Sequence, residues 1–247
     1  MERTLTRAHN PRTAVVWAVL RPEIERRAGL MVLDVGGGTG GFAVPLAEAG
    51  HRVTVVDASP DALAALTRRA AEAGVADRIT AVQGDGDRLA ELAPPASADL
   101  ILCHSLLEVV DEPAGVVAAL AATLRPGGMA SVLVANRAAA VLSRAMNGHL
   151  DVAVATLADP DGRTGPEDKL RRRFDAAGAA ALLRAAGLTV EEIHGVRVLA
   201  DLLPGTVADG DPEALLAFEL AAADRPPFRD IATQLHLFAR KPFTREP

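Results

Sequence analysis

The chain predicts an α/β fold with a seven-stranded, mostly parallel sheet, its last strand antiparallel, and helices on both faces. Three observations predict it. Short apolar runs with little polar alternation, such as MVLDV at 31–35 and DLILCH at 99–104, are what strands buried on both faces require. Segments with helical spacing separate these runs, the pattern of βαβ units. Near the C-terminus, LTVEEIHGVRV (188–198) and QLHLFAR (234–240) read as a hairpin pair split by an inserted helix.

Each element has its own local reason. Residues 11–28 carry helical spacing with a break expected at Pro22, and the strand 31–35 follows. A helix over about 42–49 stops at Gly50, a residue suited to a left-handed C-terminal cap. After the strand 53–57, Ser59 and Pro60 form a helix start, with a side-chain cap followed by a preset φ. That helix runs to near Gly74 and leads to a strand over 79–85. Beyond the strand 99–104 come a helix over 113–124, a turn at LRPGG (124–128) and a strand over 129–136. The stretch 136–172 shows no clear strand and contains the turn-rich DPDGRTGPED. Helices over 175–186 and 212–225 then flank the strand 188–198. Residues 1–247 are expected to form one domain, with an N-terminal helical segment over 1–29 and inserts near 136–172 and 199–230 that cap a substrate pocket.

Composition narrows the function classes. The 247 residues are 49% hydrophobic with mean hydropathy +0.18, yet no apolar segment reaches the roughly 18 residues of a membrane span. The charged N-terminus leads into no pure apolar run of the secretory kind, so a cytoplasmic protein without membrane attachment is expected. Cys103 is the only cysteine, which excludes an intrachain disulfide framework and a cysteine-cluster metal site; no metal is expected. In the middle of an apolar strand it reads as a small core residue. A net charge of −6 gives no global attraction to nucleic acid, although a local basic face is compatible with it.

The chemistry concentrates in MVLDVGGGTGGF, where glycines occupy 36, 37, 38, 40 and 41. A glycine-rich turn between strand and helix lets backbone N–H groups and a helix N-terminus approach a ligand. In Asp34-x-Gly36-x-Gly38-x-Gly40 the acid stands where it can orient the loop and face a ligand's ammonium group. Gly36, Gly38 and Gly41 also satisfy the dinucleotide pattern G-x-G-x-x-G, so an NAD(P)-dependent reductase is an alternative. Asp57, ending the second strand, can accept hydrogen bonds from ribose hydroxyls of either cofactor. Arg197 reads either as an ion-pair partner or as a contact for a substrate carboxylate at the sheet's C-terminal edge. Lys169, Arg171, Arg172 and Arg173 read as a solvated approach to a helix or as a phosphate track.

Two further motifs carry a resemblance. LRPGG before the fifth strand and GD-x-D (84–87) after the third resemble the turns and adenine-facing acidic residues of Rossmann-like S-adenosylmethionine-dependent methyltransferases. The order of strands and helices is similar to theirs as well. The resemblance implies S-adenosylmethionine as cofactor, with Asp34, Gly36, Gly37, Gly38, Asp57, Ala58, Asp85 and Gly86 around it.

A narrower set consists of Arg12 to Trp17 as R-x-x-x-x-W, Asp99 to Glu108 as D-L-I-L-x-H-x-x-L-E, Asn136, and Gly195 to Asp201 as G-V-R-V-x-x-D. Together they resemble the bacterial tRNA methyltransferases that esterify 5-carboxymethoxyuridine at the wobble position. That resemblance adds Arg12 and His104 to the cofactor contacts and implies an anticodon arm as partner, with a small molecule as the other acceptor class. The lysine-rich stretch of that family is here LADPDGRTGPEDKLRRRF, which keeps arginines but intersperses acids. A carboxylate acceptor is ionised at neutral pH and needs positioning alone. No catalytic dyad stands out accordingly. His104 and Arg197 are the catalytic candidates, with Glu108 and Asp111 as further candidates should a base be needed. A protein that binds the cofactor without turnover is the remaining alternative.

Overall fold

The computed structural model describes residues 10–203 and 210–243; residues 1–9 of the expected N-terminal segment and 204–209 of the second insert lie outside them. Seven strands form one sheet: β1 (Met31–Val35), β2 (Arg52–Asp57), β3 (Ile79–Gln83), β4 (Ala98–His104), β5 (Leu124–Ala135), β6 (Thr189–Val196) and β7 (Gln234–Arg240). Their order is β3-β2-β1-β4-β5-β7-β6. All neighbours pair in parallel except β7, which runs antiparallel to both β5 and β6. The expected fold class is borne out, including the split hairpin.

Burial follows from this order. Every residue of β4 before His104 is buried, because helices cover both of its faces. On one face α1 (Ala14–Arg26), α2 (Ala43–Glu48) and α3 (Pro60–Glu72) pack Trp17, Leu20, Leu46 and Leu66 against Leu100 and Leu102. On the other, α4 (Leu89–Leu92), α5 (Pro113–Thr123) and α8 (Ala176–Ala185) pack Leu89, Leu120 and Leu183 against Ile101 and Cys103. Cys103 is fully buried and its thiol is pushed up by that burial, then by the carboxylates of Glu108 and Asp34.

The stretch 136–172, unassigned from sequence, holds α6 (Arg137–Met146) and α7 (Leu150–Ala158). Asn136 caps α6 through Ala138 N–H (3.1 Å) and donates to the carbonyls of Asp230 (2.9 Å) and Ala232 (2.8 Å). The second insert contributes α9 (Pro212–Ala222) and α10 (Phe228–Ile231).

Two expectations are corrected. Pro22 does not break α1, which continues through it. The amide that proline lacks would have pointed at Ala18, and both residues are exposed, so water can take up the orphaned carbonyl. LRPGG is not a free turn but the irregular start of β5: Leu124 pairs with Ala98, then the register jumps so that Met129 pairs with Leu100. The C-terminal strand holds it there, Gly127 N–H donating to Lys241 O (2.9 Å) and Lys241 N–H to Gly128 O (2.8 Å).

β1 leads toward β2 and β3 on one side, whereas β4 and β5 lie on the other. The crevice beyond the C-terminal ends of β1 and β4 is therefore the topological switch point, where open α/β sheets bind ligands.

Candidate functional site

The glycine loop leaves β1 at that switch point. Gly36 (φ +74°) and Gly38 (φ +54°) adopt left-handed backbone, which side-chain-bearing residues rarely take. Gly36 N–H donates to Val56 O (2.8 Å), and Gly38 N–H to Asp57 Oδ2 (2.8 Å). Asp57 Oδ1 accepts from Ser59 N–H (2.9 Å), so the carboxylate is fixed while each oxygen keeps acceptor capacity to spare. At Gly37 a Cβ would lie 2.5 Å from Asp34 Oδ2 and 2.9 Å from Val55 Cγ1. The backbone is bare there because the buried acid stands directly beneath it.

Asp34 is 3% exposed, and among the described residues no side chain or N–H group bonds its carboxylate. Burial, and then the charge of Asp57, raise it to about 7. Such a group is primed to accept a cation.

Gly36, Asp57, Ala58, Asp85 and Gly86 line one cavity of about 310 Å³ together with Leu106, Val109 and Arg171. Asp85 also caps the turn that follows, accepting from Asp87 N–H (3.1 Å). Leu106 has no signal in the sequence, and Arg171 is legible there only as part of a basic run. Leu106 closes the cavity by lying against both Gly36 and Gly86, and Arg171 bonds Asp111 across its rim.

His104 and Arg12 are placed differently. His104 stands on the sheet face, its ring 4.7 Å from that of Phe42, which stacks on Trp17 at 4.9 Å. Its Nε2 lies 2.9 Å from Ser131 Oγ, which in turn lies 2.7 Å from His236 Nε2. Burial lowers His104 to about 4, so the ring is neutral at physiological pH. Arg12, ahead of α1, pairs with Asp201 at 3.3 Å.

A second cavity of about 480 Å³ opens beyond the ends of β4, β5 and β7. The segment after β4 separates the two: Ser105 and Glu108 line this one, Leu106, Val109 and Val110 the other. Residues of both inserts border it, among them Leu142, Arg144 and Asp201, together with Arg173 and Arg197. Glu108 Oε1 accepts from Ala135 N–H (2.9 Å), while Oε2 is buried without a partner among the described residues, and burial raises the carboxyl. Asp111, by contrast, lines the first cavity.

Arg197 is the notable side chain of this second cavity. Its backbone is left-handed (φ +60°), a strained setting for a residue with a side chain. Glu219, fully buried, accepts from the N–H groups of Val198 (2.8 Å), Leu199 (2.8 Å) and Ala200 (2.9 Å), which pins the loop that Arg197 begins. The Nη1 group of Arg197 pairs with Asp201 at 3.1 Å. Its Nε is buried, and among the described residues neither Nε nor Nη2 has a hydrogen-bond partner. The side-on edge of the guanidinium is the one that takes a carboxylate in bidentate fashion.

The neighbouring arginines are occupied. Arg172 donates to the carbonyls of Leu107 (3.2 Å), Val110 (2.6 Å) and Asp111 (3.2 Å). Arg173 pairs with Asp168, whose carboxyl is held well below the usual range by Arg173 and by Thr164 and Leu170 N–H groups in spite of its burial. Arg172 thus braces the segment 107–111 and Arg173 the segment 162–168, whereas Arg171 stays exposed in a surface ion pair with Asp111, as a solvated approach predicts. No helix among the described residues is long and apolar enough to cross a membrane.

Comparison with known proteins agrees with this geometry. Residues 32–128 match the family described as a methyltransferase domain. The chain is 31% identical to the tRNA 5-carboxymethoxyuridine methyltransferase of Escherichia coli over 239 residues, 95% of this chain and 90% of that protein. It is 37% identical over 172 residues to the ubiquinone biosynthesis O-methyltransferase of Xylella fastidiosa, covering 69% of this chain and 65% of that one. An S-adenosylmethionine-dependent methyltransferase structure from Mesorhizobium loti superposes with a TM-score of 0.64 at 23% identity, over 91% of this chain and 97% of that one. The chain therefore belongs to the Rossmann-like S-adenosylmethionine-dependent methyltransferases, in the family of the bacterial tRNA 5-carboxymethoxyuridine methyltransferase, and S-adenosylmethionine is its cofactor.

Proposed function

We propose that this enzyme methylates a carboxylate, and that its acceptor is the carboxyl group of a modified wobble uridine in a tRNA anticodon arm. Arg197 carries the reading: it lines the second cavity, and its side-on Nε and Nη2 edge has no hydrogen-bond partner among the described residues. It offers two parallel N–H donors to an anionic, planar group.

The residues present fit the cofactor. Asp57 would accept from the ribose hydroxyls, Asp85 would face the adenine, and the bare loop Gly36 to Gly38 would admit the methionyl-ribose portion, with Asp34 opposite its ammonium. Arg12 and His104 complete the proposed contacts. Bound there, S-adenosylmethionine supplies a methyl group already activated on sulfur. Arg197 then only has to hold an acceptor oxygen in line, since an ionised carboxylate has no proton to lose. The titratable groups agree: neutral His104 is a weak base, and Glu108 is pushed toward its protonated form.

Asp34 provides a pH signature. An ammonium partner favours the ionised carboxylate, and Asp34 ionises near pH 7; S-adenosylhomocysteine affinity is therefore expected to rise by about tenfold from pH 6 to 8. Calorimetric titration across that range checks it, and the rise should vanish in Asp34→Asn.

A small carboxylate-bearing molecule is the second reading, favoured by the engagement of Arg171, Arg172 and Arg173 within the protein. Methyl-labelled S-adenosylmethionine with separated tRNA and small-molecule fractions of a cell extract discriminates the two. Alkali-labile label in tRNA, with transfer falling steeply as salt rises, supports the wobble uridine. Label confined to small molecules shifts the acceptor to that class, and alkali-stable label overturns the ester itself.

A further inference from the structure

Asp201 sits between two arginines. Its Oδ1 lies 3.3 Å from Arg12 Nη2 and its Oδ2 3.1 Å from Arg197 Nη1. These ion pairs differ in setting: the Arg12 side chain is 60% exposed, whereas those of Arg197 and Asp201 are 21% and 23% exposed. Arg12 leads into α1, whose Trp17 stacks on Phe42 and through it reaches His104. Arg197 lines the acceptor cavity. One carboxylate thus joins the element packed beside the glycine loop to the loop that presents the acceptor-facing guanidinium.

Geometry and charge give this join a direction. By taking the Nη1 corner, Asp201 leaves the Nε and Nη2 edge of Arg197 turned away from itself. Two cations share a single anion, so the cluster keeps one positive charge, matched to one incoming carboxylate. The Glu219 bonds to residues 198–200 hold the backbone between Arg197 and Asp201, so the pair cannot drift as a flexible loop would.

We propose that Asp201 is a positioning residue that aims Arg197 at the acceptor and, through Arg12, makes cofactor and acceptor binding cooperative. The inference rests on the carboxylate reading and on a place for Arg12 beside the cofactor. In a coupled pair of sites each ligand strengthens the other by the same factor.

The test uses the full-length enzyme, S-adenosylhomocysteine for binding, S-adenosylmethionine for turnover, and 5-carboxymethoxyuridine nucleoside as the acceptor probe. In the wild type the nucleoside should tighten S-adenosylhomocysteine binding by about fivefold, within the usual range of such couplings. D201N should abolish the tightening and raise the acceptor KM by about tenfold with kcat within about twofold, the split expected when only positioning is lost. D201E, which keeps the charge, should retain most of the coupling, and R12Q should weaken S-adenosylhomocysteine binding and remove the coupling. An unchanged coupling in D201N overturns the proposal, as does a lower acceptor KM, which would mark Asp201 as a competitor of the substrate. Thermal melting confirms that each variant is folded. If the wild type methylates no carboxylate, the functional reading fails on its own. The D201N and R12Q cycle for S-adenosylhomocysteine alone then decides the Asp201 link: equal, non-additive losses support it and independent losses refute it.

Discussion

Gly37→Ala should weaken S-adenosylhomocysteine binding by more than about a hundredfold while the protein remains folded. The new methyl would stand 2.5 Å from Asp34 Oδ2 and 2.9 Å from Val55 Cγ1. Neither can yield readily, because Asp34 and Val55 are 3% and 0% exposed in the close-packed layer beneath the loop. Overpacking of this kind costs about 1–3 kcal/mol where the structure can adjust. Here the adjustment available is movement of the loop itself, outward into the space the cofactor needs. Gly41→Ala is the control within the same run of glycines: a Cβ there meets nothing within 4 Å, so its affinity should stay within about twofold of wild type. Calorimetry measures both, with a melting curve to confirm the fold. Equal affinities in the two variants would show that the loop gives way elsewhere.

Arg197→Ala should lower kcat/KM for the carboxylate acceptor by about 10²- to 10³-fold, the size expected when one partner of a desolvated, hydrogen-bonded charge pair is removed. Arg197→Lys should recover no more than about tenfold, since an ammonium supplies charge without the two parallel donors. S-adenosylhomocysteine affinity, measured without acceptor, should change little in the lysine variant, which keeps a cation for Asp201. An Arg197→Ala enzyme with unchanged kcat/KM would move the acceptor to another wall of the cavity.

Much of this was legible in the residues because the signals were local. The continuous apolar runs of β1 and β4 betrayed a doubly covered sheet, and Ser59-Pro60 marked a helix start that the structure caps through Ala62 N–H. Gly36, Asp57, Ala58, Asp85 and Gly86 were expected together and line one cavity. Other features were illegible for an equally physical reason. Pro22 is tolerated because of which way its side of the helix faces, and LRPGG joins β5 because residue 241 pairs with it. Arg172 reads as a surface cation until the carbonyls of Leu107, Val110 and Asp111 are folded against it.

By itself, then, the sequence determined the α/β class, the glycine loop with its two acids, and the family to which they belong. Those properties depend on periodicity and on residues close along the chain. Only the tertiary structure decided which charges remain available. Whether an arginine is a brace or a binding group depends on what lies across the fold from it: Arg173 meets Asp168, whereas Arg197 meets Asp201 with one corner and lines the second cavity. Such pairings are set by the packing of the inserts and of α9 around the end of the sheet, over separations that local spacing does not encode.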